Sequence, residues 1–112
     1  MRLYIDANPI IYAFEGEPGL KSGAMAWLRQ ARFDPGITLL TSRLTRLEVR
    51  CKPIRTSNLE LLAHYDRLFE SPAIEIVSLS DSILEAATIL RAKNAGAADA
   101  IHIATALNVN AH

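Results

Sequence analysis

Three short apolar runs constrain this chain more than anything else in it: "RLYI" at 2–5, "ITLL" at 37–40 and "AIEIVSL" at 73–79. Their β-branched and aromatic residues suit a pleated surface, so each predicts a strand. Two stretches with helical spacing follow each run. The first helix is predicted at 9–14, stopped by the breakers of "EGEPG". The second covers 20–32, with Leu20, Ala24, Trp27, Leu28 and Ala31 in phase, and "DPG" at 34–36 turns the chain. Thr41 or Ser42 caps a third helix to about Cys51, with Pro53 just past its end. Ser57 starts a fourth through Phe69, whose apolar face is Leu61, Leu62, Tyr65, Leu68 and Phe69. Ser80 opens a fifth to about Asn94, closed by Gly96, and a last helix runs over about 98–108. The order is βαα βαα βαα. Such alternation implies a parallel sheet covered on both faces and joined by right-handed crossovers.

The chain of 112 residues suffices for one domain, 1–112, with a real core. Half its residues are apolar and 21% are charged, as in ordinary globular proteins. Formal net charge is zero, which excludes a basic nucleic-acid coat but not a local patch. The one cysteine, Cys51, cannot form an internal disulfide, which fits a reducing compartment. Asp6 and Asn8 interrupt any signal-peptide core, and no apolar run approaches bilayer length. A soluble cytoplasmic protein is expected.

Three carboxylates stand at informative places. Asp6 falls at the tip of the first strand, with Asn8 where an N-cap belongs and Pro9 suited to a helix's first turn. Ligands of open α/β sheets bind at such tips. On the helix after the second strand, Arg43, Arg46 and Arg50 share one side, while Leu44, Leu47 and Cys51 share another. Glu48 lies among the apolar residues, where its charge needs a metal or a cationic partner. The plain alternative is a Glu at the margin, reaching water or a lysine. Asp99 begins a helix of small residues, so it either complements the helix dipole and caps, or faces a shared cleft. His102, one turn on, is a metal ligand, a base, or more commonly a structural hydrogen-bonder. Ser42 and Thr41 read first as caps. The three arginines read singly as a solvated face and together as a hold on a phosphate backbone. Glu15, Glu17 and Asp66 look like surface or capping residues.

Oxygen ligands converging on one pocket suit Mg²⁺ or Mn²⁺, which can activate water for phosphodiester hydrolysis. With "YIDANPIIYAF" at 4–14, "TSRLTRLEV" at 41–49 and "DAIHIATAL" at 99–107, the chain resembles the PIN-domain family, and within it the VapC-type toxin ribonucleases. The resemblance implies a PIN-like α/β/α sandwich and an Mg²⁺- or Mn²⁺-dependent endoribonuclease acting on RNA. It implies a cognate antitoxin and a second copy of the chain as partners. By position, it implies that Asp6, Glu48 and Asp99 are the catalytic, metal-binding acids and that Asn8 and Ser42 support them; the basic face of Arg43, Arg46 and Arg50 beside such a site is expected to position the RNA. In the family a further strand pairs with the first and supplies a fourth acid; this chain stops at "NVNAH". The expectation is a PIN-like fold lacking its C-terminal strand, with "RLYI" left as an apolar edge open to strand exchange. A second reading is a truncated PIN-like module that binds antitoxin or RNA without cleaving. A third is a phospho-acceptor or small-ligand α/β domain, which leaves Glu48 unexplained.

Overall fold

Three strands pair in the order β1-β2-β3, all parallel: β1 is Arg2–Tyr4, β2 is Thr38–Ser42 and β3 is Ile74–Val77. Leu3 stands beside Leu39 and Tyr4 beside Leu40; Leu40 in turn faces Glu75, and Ser42 faces Val77. This computed structural model describes residues 1–93 and 95–111. The helices are α1 Ala7–Glu15, α2 Pro18–Phe33, α3 Arg43–Arg55, α4 Leu59–Glu70, α5 Asp81–Ala92 and α6 Ala97–Asn108. Every strand is followed by two helices, as the apolar runs require. The helix end expected at Asn94 and the terminal His112 lie outside the described residues.

The period-two alternation of the strands divides the core in two. Leu3, Ile5, Leu39, Ile74 and Ile76 join one cluster with Ile10 of α1, Leu28 of α2, Val49 of α3 and Tyr65 of α4. Val77 and Leu79 turn to a second cluster, built from Ile83 and Ala87 of α5 and Ala100 and Ala104 of α6. Alanines at that junction let α5 and α6 approach closely. Helices thus cover both faces of the sheet, and β2, buried from Leu39 to Ser42, is its centre.

Local chemistry sets most helix starts. Asp6, Ser42, Asn58 and Ser80 each accept a backbone N–H from the first turn of their helix. Asp6 therefore caps α1, and Asn8 is already inside the helix. Asn58 caps α4, because Ser57 is used in the reversal after α3 at a left-handed φ of 55°. Gly96 is the N-cap of α6 and does not close α5, which ends at Ala92 with Lys93 as its C-cap. Gly16 is the C-cap of α1, where the chain turns extended, and a Cβ there would stand 2.5 Å from the Tyr12 carbonyl oxygen, so glycine fits where a side chain would force a shift.

Helix α3 departs from expectation in two ways. It continues through Pro53 to Arg55. A proline inside a helix forfeits one hydrogen bond, but Pro53 is fully buried near the helix end, and its carbonyl accepts the Asn58 N–H. Its buried face is Thr45, Val49 and Pro53, whereas Leu47 is 58% exposed and Cys51 is exposed. The apolar stripe of this helix looks outward. A threonine and a proline, which do not read as core residues, occupy the inward face.

Candidate active site

The site is assembled at the carboxyl ends of β1 and β2. Helix α6 runs against the direction of β1: His102 meets Tyr4 near the strand's end, while the Val109 carbonyl accepts a hydrogen bond from Arg2 Nε at its start, 3.0 Å away. The amino end of α6, with Asp99 in its first turn, therefore points to the same end of the sheet as Asp6 and Ser42. Tyr4, facing away from the Leu3–Ile5 side, reaches α6.

Four side chains form a continuous hydrogen-bonded line. Tyr4 Oη lies 2.9 Å from Ser42 Oγ and 2.6 Å from His102 Nδ1. His102 Nε2 lies 2.6 Å from Glu48 Oε1. Ser42 is buried, and its Oγ also accepts the Thr45 N–H at 3.4 Å. His102 is buried too, so its ring is held by both nitrogens. The compensation that Glu48 needed is this imidazole. Glu48 sits at the margin between the buried face of α3 and solvent, with 29% of its side chain exposed. Burial pushes the Tyr4 phenol above its ordinary value; the Ser42 and Thr45 hydroxyls oppose the shift, and the charges of Asp6 and Glu48 add to it.

Asp6 is half-buried, and its Oδ1 accepts the Asn8 N–H at 3.1 Å. Its carboxylate borders a cleft of about 410 Å³ lined also by Leu3, Pro9, Trp27, His102 and Ile103. Asn8 is exposed at the start of α1. Asp99 is exposed, and Gly96, not Asp99, occupies the cap position of α6. All three arginines border an outward groove with Leu44, Leu47 and Ile54, and Arg50 is also held by Asp66 at 2.8 Å.

Among the described residues, no three of His, Cys, Asp and Glu lie close enough together to hold one ion. The donors nevertheless suit a hard cation. Asp6 and Glu48 each engage one oxygen in the protein and leave the second without a partner among the described residues. Mg²⁺ commonly takes only one or two carboxylates and completes its shell with water and phosphate.

From the sequence Tyr4 reads only as a strand residue, and His102 reads without a named partner. The signal for Tyr4 was the strand's alternation, which sends it to the face opposite Leu3 and Ile5. Glu15, expected at the surface or in a cap, instead accepts a hydrogen bond from Tyr65 and pairs with Lys52, joining α1, α4 and α3.

Compared with known protein families, residues 3–112 match the PIN domain. The chain belongs to the PIN domain family. Its three-stranded parallel sheet and six helices are this family's α/β/α arrangement. Among solved structures, the PIN fold here is similar to a chain of a toxin–antitoxin complex from Klebsiella pneumoniae, with a TM-score of 0.72 and 22% identity, over 98% of this chain and 82% of that one. No curated protein matches the sequence. None of the described helices is long and apolar enough to cross a membrane.

Proposed function

We propose that this PIN domain is a divalent-metal-dependent endoribonuclease of the VapC type, the toxin of a toxin–antitoxin pair, acting in the cytoplasm. PIN domains are generally nucleases, and the similar Klebsiella chain comes from a toxin–antitoxin complex. The observation that carries the reading is geometric: Asp6 at the β1 tip lines one cleft with Tyr4 and His102, and His102 holds Glu48 of α3 at 2.6 Å, each carboxylate keeping a second oxygen without a partner among the described residues. Asp6 and Glu48 would hold Mg²⁺ or Mn²⁺ directly, and Asp99, which forms no single cluster with them, would join through the ion's water shell from the start of α6. A bound divalent ion supplies an activated water and neutralises charge on the phosphodiester. Ser42 supports Glu48 through Tyr4 and His102, and Asn8 lends its N–H to Asp6. Arg43 and Arg46 are placed to hold RNA phosphates, while Arg50 is occupied by Asp66. A cognate antitoxin and a second copy of the chain are the proposed protein partners.

The second reading, a module that binds antitoxin or RNA without cutting, draws on one observation: no three acids converge among the described residues. One experiment separates the two. The purified chain is incubated with a structured RNA and Mg²⁺ or Mn²⁺, beside EDTA and Asp6→Asn controls. Cleavage lost in both controls supports the nuclease. Cleavage that survives Asp6→Asn refutes the site, and RNA or antitoxin binding with no cleavage at any Mn²⁺ concentration selects the module.

A further inference from the structure

We infer that Tyr4 and His102 are positioning residues: together they fix the ring tautomer and, through it, the direction in which the Glu48 carboxylate faces the site. The role in metal binding rests on the proposed nuclease reading; the geometry of the hydrogen-bonded line does not.

For an ionised Glu48 beside a neutral imidazole, proton counting gives the line one direction. An ionised Glu48 can only accept, so the contact at 2.6 Å places a hydrogen on His102 Nε2. A neutral imidazole has one N–H, so Nδ1 must accept, and the group facing it at 2.6 Å is the Tyr4 hydroxyl. Tyr4 has one hydrogen. The Tyr4 and Ser42 hydroxyl oxygens stand 2.9 Å apart; each carries one rotatable hydrogen, so when Tyr4 turns its own to Nδ1, Ser42 becomes the donor between them. Ser42 Oγ in turn receives the Thr45 N–H. Donation therefore runs Ser42 to Tyr4 to His102 to Glu48, and no member is left with two donors or two acceptors face to face.

The anchoring is rigid where the target is not. Tyr4 is fixed in β1 and Ser42 in the buried end of β2, both held by strand pairing. Glu48 projects from α3 with several free torsions, and a carboxylate that is already aimed loses less rotamer entropy when it binds a ligand. Groups that orient a metal-binding side chain through a hydrogen bond typically alter metal affinity by about 10- to 100-fold when removed. Without the Tyr4 hydroxyl, nothing selects the Nε2–H tautomer from the Nδ1 side. The alternative tautomer would present a lone pair to Glu48 and turn it away.

The test uses Tyr4→Phe in the full chain, which keeps the ring beside His102 (centroids 5.7 Å apart) and removes one oxygen. Nitrogen NMR of the His102 ring without metal, at pH 8, reads the tautomer; calorimetric titration with Mn²⁺ reads affinity. The expected result is a fixed Nε2–H tautomer in the wild type, a mixture in Tyr4→Phe, and Mn²⁺ affinity about 10-fold weaker in the variant. An unchanged tautomer in Tyr4→Phe overturns the inference, as does a mixed tautomer with unchanged Mn²⁺ affinity. If the wild type binds no Mn²⁺, the metal reading fails, and the tautomer measurement still decides the geometry. Should Tyr4→Phe not fold, Glu48→Ala isolates the Tyr4 side of the ring: persistence of the Nε2–H bias supports the inference, and its loss refutes it, because Glu48 alone would then have set the tautomer.

Discussion

Replacing Tyr65 with Phe removes one oxygen from a side chain with no exposed surface. That oxygen is 2.5 Å from Glu15 Oε2, while Glu15 Oε1 pairs with Lys52 at 3.1 Å. A hydrogen bond to a charged group contributes about 1.5–3 kcal/mol. Glu15 keeps Lys52 after the substitution, so its charge is not stranded, and the cost belongs near the low end, about 2 kcal/mol. For a domain of this size that lowers Tm by roughly 8 °C. Urea unfolding of Tyr65→Phe, Glu15→Gln and the double variant measures both the loss and its origin. A Tyr65→Phe loss under about 0.5 kcal/mol, or additive single losses, would refute the argument. The same bond has a pH signature. Burial first, then the bond and charge of Glu15, push the Tyr65 phenol far above its ordinary 10.0. The folded chain keeps this proton where the unfolded chain loses it. Stability from this group is therefore intact below about pH 10 and falls by about 1.4 kcal/mol per pH unit above it. Tyr65→Phe should remove that part of the alkaline slope; an identical slope in both proteins would contradict it.

Asp6→Asn should abolish metal-dependent RNA cleavage with little change in Tm, because Asn caps a helix as well as Asp does, whereas Asp6→Ala should also cost about 1 kcal/mol in urea unfolding. Arg43→Glu with Arg46→Glu should weaken RNA binding and flatten its salt dependence in fluorescence titrations; Arg50→Glu should instead act mainly on stability, since Asp66 holds it, and equal effects of all three on binding would contradict this. Along β1, Ile5 N–H bonds the Leu40 carbonyl and Thr38 N–H the Met1 carbonyl, so residues 1, 3 and 5 face β2 and the backbone groups of Arg2 and Tyr4 face the open edge. Light scattering should therefore find the 112-residue chain oligomeric or marginally stable, and a stable, monodisperse monomer would argue against it.

The features legible in the residues are those that depend on local chemistry. Period-two and 3.6-residue patterns place all three strands and six helices, because each element must bury one face of its own. Ser42 and Ser80 announce their helices, since a hydroxyl at an N-cap satisfies backbone groups within a few residues. Errors arise where two local readings compete: Asp6 against Asn8 as a cap, Ser57 against Asn58, and Gly96 as the end of one helix or the start of the next.

The face that α3 buries is not decided locally. Its stripe of Leu44, Leu47 and Cys51 looks like a core face, yet Thr45, Val49 and Pro53 are the residues packed inward. Only the position of α3 against β2, α1 and α4 chooses between those faces. The same holds for the candidate site. Its carboxylates, their order and the strand tip on which Asp6 stands follow from the residues alone. It takes the assembled fold to bring Glu48 to His102, 54 residues away, and to carry Tyr4 from β1 to the same ring, 98 residues away. Contacts over such separations depend on how crossovers fold elements together, a property of the assembled sheet and not of any short stretch of chain.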